Sequence, residues 1–85
     1  MAKQIRLSKH ATEQCELRGT NEEEVKQAIR VGSRESAKHN RILCRLNFEF
    51  ESVWEGRIFP VKQIAPVIVE EENEIVVITV YTFYF

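Results

Sequence analysis

Three side chains in this sequence are of the types that move protons and hold developing negative charge: His10, Arg18 and Tyr81. An unperturbed imidazole titrates near neutrality. A guanidinium stays charged and donates in a fixed fork, and a phenol both gives and accepts hydrogen bonds. His10 and Arg18 are eight residues apart, which on a helix is about two turns and an offset of ~80°. The pair therefore shares one polar edge, with Gln14 between them. A second group of cations, Arg34, Lys38, Arg41 and Arg45, falls within residues 30–45 against the single acid Glu35. Arg41 and Arg45 lie on the same parity of a strand-like run and can grip one phosphate together. Each of these residues also has an ordinary structural use. His10 can bond to a neighbouring strand, Arg18 can complement a helix C-terminus, Tyr81 can be a core ring with its hydroxyl satisfied, and the basic run can be solvated surface. His10, His39, Cys15 and Cys44 have no metal-ligand spacing. No metal or other cofactor is expected, and the two cysteines read as small buried thiols.

Local signals define the elements that must position these groups. Residues 4–7 read as a short strand or extended arm. Ser8 is an N-cap candidate, so a helix is predicted over Lys9–Arg18, ending at Gly19 in the left-handed C-cap conformation. Asn21 starts a second helix, with Glu24 at the capping-box position and Glu22 and Glu23 at the positive end of the dipole. Its apolar stripe is Val25, Ala28, Ile29 and Gly32. From Arg41 the period becomes two: Ile42, Cys44, Leu46, Phe48 and Phe50 form one face, and Arg41, Leu43, Arg45, Asn47 and Glu49 the other.

Glu51 and Ser52 read as a turn. A strand follows over 53–61 with Gly56 in its middle, and another over 64–70 in which Pro66 predicts an edge position or a bulge. Residues 71–74 are a polar turn. The run 75–85 is apolar on both parities, which predicts a strand covered on both faces and central in the sheet. The expected fold is a single α+β domain over 1–85. In it a short strand and a helical hairpin pack on one face of a mainly antiparallel sheet of about four strands.

Composition bounds the function. The 85 residues are 44% hydrophobic and 29% charged, with three Gly and two Pro, an ordinary globular balance. No run approaches the ~20 apolar residues of a membrane-spanning helix, and the start Met1-Ala2-Lys3-Gln4-Ile5-Arg6 lacks the apolar stretch of a secretory signal. A cytoplasmic protein is expected. The net charge of -1 excludes a uniformly basic nucleic-acid coat. It hides a split, however: residues 1–45 hold ten bases and six acids, whereas 46–85 hold two bases and seven acids.

His10-Ala11 is followed by Arg18-Gly19, then Asn21-Glu22-Glu23-Glu24-Val25, and near the other end by Val77-Ile78-Thr79-Val80-Tyr81. This order resembles the small bacterial family labelled domain of unknown function 4258, over nearly the whole chain. Where that family commonly has a second Arg midway along the first helix, this sequence has Gln14, and its segment 61–66 is longer. The family's element order is similar to that of RelE-like and BrnT-like toxins, which cleave messenger RNA.

The resemblance implies a toxin-like RNA-cleaving or RNA-binding protein with an antitoxin-like protein partner. RNA cleavage by the 2′-hydroxyl needs a base, a cation for the phosphorane and an acid for the leaving oxygen. His10, Arg18 and Tyr81 are the candidates for that chemistry, and Arg34, Lys38, Arg41 and Arg45 the candidates for phosphate contact. Trp54 and the terminal Phe83, Tyr84 and Phe85 could stack on bases. The competing expectation is a non-enzymatic structural module, a homodimer through its sheet, that keeps the scaffold without catalysis.

Overall fold

Two side-chain caps start the helices where the sequence places them. The structure, a computed structural model, describes residues 3–85; Met1 and Ala2, the first residues of the segment read for a secretory signal, lie outside them. Ser8 Oγ accepts from the Ala11 N–H at 3.1 Å and opens α1 (Lys9–Arg18). Asn21 Oδ1 accepts from the Glu24 N–H at 2.9 Å and opens α2 (Glu22–Val31). The reciprocal half of the capping box is replaced. The Glu24 carboxylate accepts from the Thr20 hydroxyl and from the Lys62 ammonium instead of reaching back to its own helix start. Among the described residues no helix is long and apolar enough to cross a membrane.

The sheet has five strands: β1 (Gln4–Leu7), β2 (Ser33–Ala37), β3 (Arg41–Trp54), β4 (Arg57–Glu70) and β5 (Glu74–Tyr84), in the order β1-β5-β4-β3-β2. All neighbours are antiparallel except β1 and β5. The class is thus α+β as the sequence predicts. The strands read over 53–61 and 64–70 are corrected: the turn at Glu55 and Gly56 breaks the first, and residues 57–70 form the single strand β4. The strand the sequence did not announce is β2, read as loop. All five of its residues are exposed, so it carries no apolar alternation to announce itself. His39 and Asn40 at positive φ turn it into β3.

Several expectations are corrected. The central strand is β4, and β5 lies second from the edge. Pro66 lies in this central strand, fully buried, close to a register shift at Val67/Ile68. Glu51 and Ser52 are not a turn; β3 runs through them with a register shift. The hairpin reverses at Glu55 and Gly56, both at positive φ, which is the two-residue turn whose twist matches the flanking strands.

The tail's double apolar parity also has a local cause. Thr79 pairs with Val67 and Val77 with Ile68, so Ile78 is an extra residue in β5. Ile75, Val77 and Val80 consequently all reach the same core, while Tyr81, Phe83 and Phe85 stay exposed. Only one face of β5 is covered by helices.

The core lies between that face and the helical hairpin: Ala11 and Cys15 from α1, Val25, Ala28 and Ile29 from α2, and Cys44, Ile64, Ile68, Val77 and Val80 from the sheet. Burial pushes both thiols up from their ordinary pKa. At the α1–α2 junction the Lys62 ammonium, in a residue only 7% exposed, donates to Glu24 at 2.8 Å and to the Gly19 carbonyl at 3.0 Å. Gly19 itself sits against the Trp54 and Tyr84 rings; a Cβ there would come within 2.5 Å of Trp54. Replacing Lys62 by Met keeps the stem but leaves the Glu24 carboxylate with the Thr20 hydroxyl alone and the Gly19 carbonyl without its ammonium donor. Lys62→Met should cost about 2 kcal/mol and lower the melting temperature by roughly 10 °C, with Glu24→Gln in the same chain restoring part of it. Thermal melts of the two variants check this; an unchanged midpoint in the single variant contradicts it.

Candidate functional site: the open sheet face

β1 pairs with β5 only as far as Val77. Beyond that point α1 runs along the vacated edge, tied to it by Ser8 Oγ donating to the Ile78 carbonyl and by Thr82 and Tyr84 hydroxyls donating to the Arg18 carbonyl. The two ends of α1 thereby reach alternate residues of β5. His10 Nε2 shares a 3.2 Å hydrogen bond with Thr79 Oγ1, and the Arg18 guanidinium lies 5.1 Å from the centre of the Tyr81 ring. His10, Arg18 and Tyr81 thus border one edge, in two pairs separated by two residues of strand. Gln14 lies between them, its Oε1 buried without a hydrogen-bond partner.

The face of the sheet away from the helices is read from the register. Thr79, Tyr81 and Phe83 of β5 stand opposite Val67, Ala65 and Gln63 of β4, and Val67 and Gln63 stand opposite Leu43 and Asn47 of β3. Tyr81, Phe83 and Phe85 follow at every second residue, so the three rings project side by side at intervals of about 7 Å. They are 42%, 45% and 53% exposed. Ala65, across from Tyr81, supplies a small floor. On the β3 side Arg45 lies over this face. Its Nε donates to Glu35 at 3.0 Å, its Nη1 to Gln63 Oε1 at 3.0 Å, and its guanidinium carbon sits 5.8 Å from the Phe83 ring centre. A guanidinium therefore flanks the ring row from each side.

The other cations are divided between the two sides of the sheet. Arg41 begins β3 on the ring side, and Lys38 is exposed in the β2–β3 turn. Arg34 alternates with Glu35 and so points to the helix side, where it pairs with Glu70 and donates to the Ile29 carbonyl. It does not join Arg41 and Arg45. Trp54 and Tyr84 are also apart from the row. They stack on each other at 4.6 Å beside Gly19, and burial raises the Tyr84 phenol above its ordinary pKa. Among the described residues no three of His, Cys, Asp and Glu are grouped to hold a metal.

Sequence reasoning missed Thr79 as His10's partner, Gln63 and Asn47 beside Phe83, and the reach of Arg45 across the sheet. The alternation of β3 carried a signal for Asn47; the others needed the register across β4. No family model, curated protein or solved structure matches the chain.

Chemically, the face offers flat apolar rings for stacking and guanidinium groups between them. A titratable imidazole stands at the rim. On the opposite side, the Arg34 hydrogen bond holds the Glu70 carboxyl below its ordinary pKa. A carboxyl depressed in the folded state contributes stability above its unfolded pKa and loses it as pH falls through the folded value. The melting temperature should therefore drop on acidification from about pH 5 downward, and Glu70→Gln should flatten that drop. A pH series of thermal melts checks it; identical slopes for the two chains contradict it.

Proposed function

We propose that this chain binds single-stranded RNA across the open face of its sheet. The reading is carried by one observation: three exposed rings at alternate positions of β5, flanked by Arg18 and Arg45 on a face that no helix covers. Bases stack on aromatic side chains and on guanidinium planes with little regard to sequence. Arg18, Arg41 and Lys38, which make no ion pair among the described residues, are the phosphate contacts. Their few charges suit a short strand better than a duplex, consistent with the balanced net charge.

A second reading, cleavage of the bound strand, is favoured by the placement of His10 beside Thr79 and of Arg18 beside Tyr81 at the rim. His10 would take the 2′-hydroxyl proton, Arg18 would offset the charge on the phosphorane, and Tyr81 would protonate the leaving oxygen. An antitoxin-like partner would act by covering the same rings, and a cytoplasmic location fits either reading. A homodimer through the sheet competes for this face.

Fluorescence anisotropy with a labelled RNA octamer at low salt tests the proposal. Phe83→Ala and Tyr81→Ala should each weaken binding at least about fivefold, from ~1 kcal/mol or more of stacking per base, whereas Leu17→Ala on the exposed side of α1 should not. Gel analysis of the same RNA separates binding from cleavage, which His10→Ala should abolish. Absence of binding by a folded monomer contradicts the proposal, as does a tight dimer in sedimentation whose dissociation requires loss of the rings.

A further inference from the structure

β2 flanks β3 only from Arg41 to Arg45, and among the described residues no strand but β4 pairs with β3 from Leu46 to Trp54. β5 beyond Val77 also lacks a strand on its outer side, but α1 runs along it. β3 has no such cover past the end of α2. The chain enters β2 at Gly32, whose backbone lies so close to the Arg45 carbonyl that a Cβ there would collide with it. There the lane occupied by β2 ends. Past it opens a cavity of about 360 Å³ lined by Val31, Ser33, Arg45, Leu46, Asn47 and Gln63.

Every second residue of such an edge turns its N–H and C=O outward without a partner. The side chains alternate between two chemically different rows. Leu46, Phe48 and Phe50 are half-buried on the helix side, and Val31, 65% exposed at the end of α2, lies beside Leu46. Glu49 is exposed on the other side, followed by Glu51 at the register shift and Glu55 in the turn. No Lys or Arg occurs between Arg45 and Arg57, and none of the three acids makes an ion pair among the described residues. An extended segment with apolar and basic residues at alternate positions matches both rows at once. A second copy of this chain does not match them. Two β3 edges meeting about a two-fold axis bring one acidic run against the other, and like charges across a strand pair are destabilising.

We propose that the edge of β3 over 46–54 docks an extended segment of a partner protein, alternating apolar and basic residues, which adds to the sheet as a strand in the lane that β2 leaves vacant. Its apolar residues lie against Leu46, Phe48 and Val31, and its basic residues meet Glu49 and Glu51. This site is on the rim of the sheet and does not depend on RNA binding at the ring row.

Anisotropy with a labelled, end-capped octapeptide of alternating Lys and Val tests it, with an octapeptide of alternating Glu and Val as control. The Lys peptide should bind at least about tenfold more tightly than the Glu peptide, because two cross-strand charge pairs change sign. At saturation it should slow hydrogen exchange at alternate amides between Leu46 and Val53. In the double variant Glu49→Lys, Glu51→Lys the order of the two peptides should reverse. Both positions are exposed, and a thermal melt confirms that the variant folds. Equal affinities, or no binding of the Lys peptide by folded protein, overturn the proposal. Binding that leaves these amides unprotected also overturns it, since attraction to an acidic surface then explains the preference without strand addition. Protection of the same amides in the chain alone, growing with its own concentration, assigns the edge to a second copy and overturns the peptide partner.

Discussion

Where β4 passes beneath the junction of α1 and α2, the Lys62 ammonium is held between the Glu24 carboxylate and the Gly19 carbonyl, with the Phe50 ring 5.3 Å away. A charge taken that far out of water requires both partners. The helical hairpin is thereby held over the face of the sheet that bears Ile64, Ile68, Val77 and Val80. Thr82 and Tyr84 reinforce the tether by donating to the last carbonyl of α1. With both helices committed to one side, the other side of the sheet has nothing within the described chain to cover it.

That asymmetry leaves open the face on which the proposed RNA site lies. The extra residue Ile78 in β5 changes which parity faces the core. Without it, Tyr81 and Phe83 would share the helix side with Val77, and the ring row would not exist on the open face. The same bulge sets Thr79 within reach of His10 and Tyr81 within reach of Arg18. Arg45 closes the far side through the amides of Gln63 and Asn47. A local irregularity in one strand thus decides whether the aromatic residues are core or surface.

The parts legible in the sequence were those governed by local rules. Ser8, Gly19 and Asn21 mark helix ends because a cap is satisfied by neighbours a few residues away. The alternation of Ile42, Cys44, Leu46 and Phe48 announces the inner face of β3. What stayed hidden depends on cross-strand register. A bulge at Ile78 makes a one-face strand look apolar on both sides, and Pro66 tolerates a central position because the ladder is already irregular close by. Arg34 and Arg45 look equivalent in the sequence. Register sends Arg34 to Glu70 on the helix side and Arg45 over Phe83 on the other. His10, Arg18 and Tyr81 were recognisable as residue types, whereas their pairing along β5 followed from β1 ending at Val77.

RNA binding as proposed places the strand on the uncovered side of β5. Backbone amide shifts of labelled protein, recorded by NMR during titration with an unlabelled RNA octamer, test that placement residue by residue. Shift changes should concentrate at Val67, Thr79, Tyr81, Phe83 and Asn47 and leave Val25, Ala28 and Ile29 still. Changes confined to the helical hairpin, or none at saturating RNA, would contradict it.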